Sequence, residues 1–138
     1  GGPSGDLYVE IRVNPHKIFE REGSNISCEI PISILDAALG GEIKMPTLNG
    51  SVSVKIPPGT QSGKIFRLKG KGVTTARDNR VGDLYAAISV ETPVNLSSKQ
   101  KDILKDFYTS IENGGKKHSP RHDSWISSVK NFFDRISS

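Results

Sequence analysis

The stretch ALGGEIKMPTLNGSVSVKIPPGTQSGKIFRLKGKG, Ala38 to Gly72, decides the fold. Ile43 and Met45 alternate with polar neighbours up to Thr47, and Val52, Val54 and Ile56 resume the alternation beyond Asn49 and Gly50. Asn and Gly supply the positive φ that tight hairpin loops favour, so two strands joined by a short turn are predicted. Pro57, Pro58 and Gly59 stop the second strand because proline has no N–H for the ladder, after which Ile65 to Leu68 can pair again. Gly70 and Gly72 bracket Lys71 in a further loop. The stretch contains no acid, base, nucleophile or metal-ligand set, which suits a module that builds a surface.

Working outward, Ile26, Cys28, Ile30, Ile32 and Ile34 alternate with Ser27, Glu29, Pro31 and Ser33, the pattern of a strand with one buried face. Pro31 places that strand at an edge or bulge, and Cys28 reads as a core residue. Leu35 to Leu39 suits a single helical turn closed at Gly40 and Gly41. The word GDLY occurs twice, opening GDLYVEIRV at Gly5 and GDLYAAISV at Gly82. Leu7, Val9, Ile11 and Val13 match Leu84, Ala86, Ile88 and Val90, so the repeat implies two related β-units in tandem, the first copy being the last strand of the earlier unit. Asn14 to Gly23 then links the units, and Thr74 to Val81 is a polar loop and a candidate for disorder.

Beyond Pro93 the apolar period changes from 2 to 3.6. Ser97 and Gln100 form a capping box, and Ile103, Leu104, Phe107, Tyr108 and Ile111 make an apolar stripe that ends near Gly114. Gly114 to Arg121 reads as a linker. A second amphipathic helix is predicted from about Asp123, with Trp125, Ile126, Val129, Phe132, Phe133 and Ile136 on one face. Each large side chain is worth about 1.5–3 kcal/mol on full burial, so stripes left in water would forfeit more than a domain's net stability. They must pack on the β-unit or on another chain.

The 138 residues suffice for one small β-domain with a helical appendage. An apolar fraction of 34% against 25% charged residues implies a thin core and a well-solvated surface. One cysteine excludes an internal disulfide and a cysteine-based zinc site, and fits a reducing compartment. No apolar run reaches the length of a membrane span, and the glycine-rich start does not read as a signal peptide. His118 and His122 lie four apart across Pro120 with only Asp123 as a further ligand, so no metal is expected. There is no P-loop, GxGxxG or GxSxG, and no paired carboxylates, so the chain is not expected to be an enzyme.

The order ALGGEI, MPTLNG, IPPGTQSGK, RLKGKG and GDLYAAISVETP resembles the second C-terminal β-domain of DnaJ-type co-chaperones, over nearly the whole chain. Asn49 stands where aspartate is common, and Val73 with Thr74 occupies a loop that often holds proline. The resemblance implies a mainly β fold: a small antiparallel β-sandwich with a short helical turn, followed by C-terminal amphipathic helices. It divides the chain into the last strand of a preceding β-domain and link over 1–22, the second β-domain over 23–95, and a helical dimerisation segment over 96–138. It implies a homodimer held by the two stripes, and binding of unfolded client polypeptides, with Phe19 of HKIFEREG matching a phenylalanine at the junction of the two domains. Ile18 and Phe19 serve equally well as cement for that joint. The chain carries no His-Pro-Asp motif and no CxxCxGxG repeat. The resemblance therefore implies that delivery to a DnaK-type ATPase chaperone belongs to a longer cytoplasmic parent, and zinc to its cysteine-rich region, with no cofactor in this stretch.

The rival reading is a basic β-module that binds nucleic acid through Lys64, Arg67, Lys69, Lys71, Arg77 and Arg80, with Phe66 as a stacking surface. Alternation argues against it, since it turns Phe66 and Leu68 inward and Arg67 outward. A basic edge that discourages strand-to-strand aggregation is the plainer account of these charges.

Overall fold

The computed structural model describes residues 18–75, 80–114 and 117–137. The chain divides into two compact units, one ending at Pro93 and the other beginning at Val94. In the first, strands β1 (Glu20–Glu22), β2 (Asn25–Ser33), β5 (Ile65–Leu68) and β6 (Leu84–Glu91) form a sheet in the order β1-β2-β6-β5. Strands β3 (Gly41–Thr47) and β4 (Gly50–Ile56) form a separate hairpin, and helix α1 (Ile34–Leu39) connects β2 to it. The second unit holds helices α2 (Ser98–Glu112) and α3 (Pro120–Ser137). The fold is mainly β with C-terminal helices, as the alternation and the change of period indicate.

Burial follows the alternation. Ile26, Cys28, Ile30 and Ile32 on β2 are buried while every residue between them is exposed. Leu84, Ala86 and Ile88 on β6 join them, and Met45 of β3 and Ile56 of β4 close the core from the hairpin. Ala37 is the one buried residue of α1. Phe66 and Leu68 are half-buried against this core and Arg67 is exposed, as alternation requires. Burial also pushes the Cys28 thiol up, which suits a core residue and not a nucleophile. β1 pairs only with Asn25 to Ser27, so the outer side of β2 around Pro31 meets no other described strand, the edge position a proline needs.

Three strand pairings are antiparallel, but β2 and β6 run parallel, Ile26 opposite Leu84 through Ser33 opposite Glu91. Periodicity tells which face a residue takes, not which way its neighbour runs. Other departures are local. Ile34 does not continue β2; it opens α1, because the Ser33 hydroxyl accepts the Asp36 N–H at 3.0 Å and caps the helix. Among the described residues Asn49 does not take a positive φ; Gly50 does, at 143°. Glu20 to Glu22, read as link, form β1, which three charged residues could not announce. The strand expected over Leu7 to Val13 and half of the polar loop, residues 76–79, lie outside the described residues.

Two backbone joints hold the β-unit together, and each unites words far apart in sequence. At the first, the Ala37 carbonyl at the end of α1 accepts the N–H groups of Gly59 and Thr60 at 2.8 and 3.0 Å. The Pro-Pro-Gly loop thereby satisfies a carbonyl that a helix end leaves unpaired. Gly40 stands between them with φ 78°, and a Cβ there would lie 2.7 Å from the Ile56 carbonyl oxygen. At the second, the Ser24 carbonyl accepts Val73 N–H at 2.7 Å, Gly72 N–H donates to the Gly82 carbonyl at 2.9 Å, and Gly82 N–H to Val73 at 3.1 Å. A Cβ on either Gly72 or Gly82 would collide with the Ser24 carbonyl. Asn25 Oδ1 accepts the Asp83 N–H at 2.8 Å and completes the joint.

Gly82→Ala must therefore push the Ser24–Asn25 backbone away from Gly82. We expect it to cost at least ~2 kcal/mol in urea unfolding. A cost within ~0.5 kcal/mol of zero, the range of an ordinary surface substitution, would mean that the close approach is not a constraint.

Candidate interaction surfaces

In the helical unit, Ser97 caps α2 as the sequence indicates. Its hydroxyl accepts Gln100 N–H at 3.2 Å and its own N–H donates to Gln100 Oε1 at 2.8 Å. α3 starts at Pro120, three residues before the expected Asp123. Ser119 followed by proline is a helix-start signal, with the fixed φ of proline suited to the first helical position, so the link between the helices ends at Ser119. Neither helix buries a described residue. Ile103, Leu104, Phe107, Tyr108, Trp125, Ile126, Phe132, Phe133 and Ile136 are all exposed, Trp125 at 60% and Phe107 at 57%. Only Ile111 and Val129 of the two stripes are half-buried. At the elbow between the helices, Tyr108, Ile111, Glu112, Ser119, His122, Asp123 and Ile126 line an open cleft of about 410 Å³.

At the start of the described residues, Phe19 is half-buried and packs against the core of the β-unit, whereas Ile18 is 42% exposed. The two therefore differ in exposure, the ring resting on the core and the neighbouring isoleucine open to solvent. Among the described residues no group of three His, Cys, Asp or Glu side chains could hold a metal ion. No helix is long and apolar enough to cross a membrane among the described residues.

The basic strand β5 is less free than its composition suggests. Arg67 Nε donates to Asp83 Oδ2 at 2.7 Å, and Asp83 Oδ1 accepts Gly70 N–H at 3.0 Å. The Gly70 N–H, and then the Arg67 guanidinium, hold the Asp83 carboxyl below the usual aspartate range. Phe66 is turned to the core, which withdraws the ring that base stacking would need. Arg77 lies outside the described residues. Lys64, Lys69 and Lys71 remain exposed at the ends of the strand.

These motifs match a known family. The DnaJ C terminal domain model matches residues 1–93, and the chain belongs to that family. It is 56% identical over 133 residues to Chaperone protein DnaJ of Bordetella petrii, covering 96% of this chain and 36% of that protein. It is 54% identical over 134 residues to Chaperone protein DnaJ of Burkholderia pseudomallei, covering 97% and 36%. The chain thus spans about a third of the length of these curated relatives. Both relatives are named as chaperones.

The Asp83 anchor has a pH signature. Its folded pKa is depressed, so its stabilisation is complete above the unfolded value of about 3.9 and is lost as pH falls through the folded value. Asp83→Asn should lower the urea midpoint at neutral pH and flatten its decline below about pH 4. Parallel acid limbs for the two proteins would show that the carboxylate contributes nothing.

Proposed function

We propose that this stretch is the client-contacting and dimer-forming part of a DnaJ-type co-chaperone whose parent delivers unfolded polypeptides to a DnaK-type ATPase chaperone in the cytoplasm. The observation that carries the dimer is the pair of apolar stripes on α2 and α3, in which no described residue is fully buried. Helices of 15 and 18 residues are marginal alone in water, and their stability in proteins comes from packing an apolar face. A second copy of the chain supplies that packing. Two weak client sites held on one dimer act at a raised effective concentration, so avidity replaces tight single contacts.

Client contact falls to Ile18 and Phe19, the exposed isoleucine beside a ring that rests half-buried on the core. In this reading the stretch needs no cofactor, and zinc belongs to a cysteine-rich region of the parent. The basic-module alternative loses ground because Arg67 is engaged by Asp83 and Phe66 by the core.

Light scattering behind a sizing column tests the dimer. The whole chain should elute with twice its formula mass and the chain cut after Asn113 with one. A whole chain that stays monomeric would remove the dimer reading, and a dimer that survives the cut would move its contact to the Ile103 to Ile111 stripe or to the residues before Ile18.

A further inference from the structure

β5 is the last strand of its sheet, and its backbone pairing leaves a specific set of groups open. Ile88 N–H donates to the Lys64 carbonyl at 2.8 Å, and Gly63 N–H to the Ile88 carbonyl at 2.8 Å, with Gly63 at φ 94° as the extra residue of a bulge. Ile65 lies opposite Ala87 and Phe66 opposite Ala86. Bonded and non-bonded pairs alternate in an antiparallel ladder, so Phe66 and Leu68 exchange hydrogen bonds with β6. The N–H and C=O groups of Ile65 and Arg67 then point away from β6, where no described strand meets them.

The chemistry around this edge is one-sided. Lys64 precedes the strand and Lys69 and Lys71 follow it, and no ion pair holds any of the three among the described residues. Arg67 is already answered by Asp83, the nearby carboxylate, which is spent on Arg67 and Gly70. Ile65 is 56% exposed at the start of the edge strand, offering one apolar contact beside the open backbone groups. Lysines on an edge also deter pairing with uncharged strands, so the same residues that exclude a generic partner select one of opposite charge.

The geometry points to β5 as a docking edge for an acidic, extended polypeptide segment. The segment adds as a fifth strand, takes the Ile65 and Arg67 backbone groups, sets a β-branched residue against Ile65, and places carboxylates near Lys64 at one end and Lys69 and Lys71 at the other. Four paired residues span about 13 Å, so acidic residues bracketing a short apolar centre fit the spacing. This surface is distinct from the helical stripes, and its failure would leave the dimer reading untouched.

The test uses the whole chain and a fluorescein-labelled peptide with two glutamates on each side of a Val-Thr-Val-Thr centre, with binding followed by anisotropy. We expect saturable binding that weakens as salt rises and falls at least ~10-fold in the Lys64→Glu/Lys69→Glu/Lys71→Glu variant. Ile65→Pro removes an N–H that β6 does not use and should abolish binding while leaving the circular dichroism unchanged. Should that variant unfold, hydrogen exchange on the unaltered chain decides: the Ile65 and Arg67 amides should slow when the peptide is added. Unchanged exchange at both amides overturns the proposal. So does equal binding of a peptide with lysine in place of glutamate, or tighter binding of a labelled single-stranded oligonucleotide. Absence of any binding would leave the lysines as edge protection alone and equally overturn it.

Discussion

The Ser24 carbonyl is where the β-unit is pinned. Three stretches of backbone, Ser24 to Asn25, Gly72 to Val73 and Gly82 to Asp83, come together around it, and only residues without a Cβ fit at Gly72 and Gly82. The parallel alignment of β2 with β6 starts from this point, with Ile26 N–H donating to the Asp83 carbonyl at 3.0 Å. Asp83 then reaches to Gly70 and Arg67 and fixes the exit of β5 against the start of β6. The words RLKGKG and GDLY are two sides of one joint, and ALGG with PPGT are two sides of the other. Glycine stands at Gly40, Gly72 and Gly82 because backbone approaches backbone, a demand that leaves no room for a Cβ.

The two units differ in how they meet the cost of ordering. The β-unit buries a core spread over β2, β3, β4, β6 and α1, with Met45 and Leu84 fully enclosed. The helical unit has caps and amphipathic patterns but no interior. Hydrogen bonds and caps contribute little net stability beside apolar burial, so α2 and α3 depend on a surface that the unit itself does not supply. The proposed dimer would meet that need and couple helix stability to protein concentration.

Legibility in the sequence tracked the physical signal. Alternation marked the faces of β2 and β6 residue by residue, and the Ser97–Gln100 box located the start of α2. What alternation could not give was direction, hence the parallel pairing of β2 and β6. It was also silent on β1, whose Glu-Arg-Glu carries no apolar phase, and on which carboxylate would meet Arg67, since Asp83 lies sixteen residues away in the chain. α3 starts earlier than the linker reading of Gly114 to Arg121 implies, because proline at the first helical position breaks nothing. Among the site residues, the exposed apolar stripes were legible as stripes. Their exposure was not, because periodicity gives a face without saying what covers it.

The most direct measurement is amide hydrogen exchange on the whole chain across a dilution series. If the helices owe their stability to a second copy, protection over 98–112 and 120–137 should fall on dilution while protection over 25–33 and 84–91 stays constant. Helical protection that is independent of concentration would contradict this account, because the stripes would then have found their cover within a single chain.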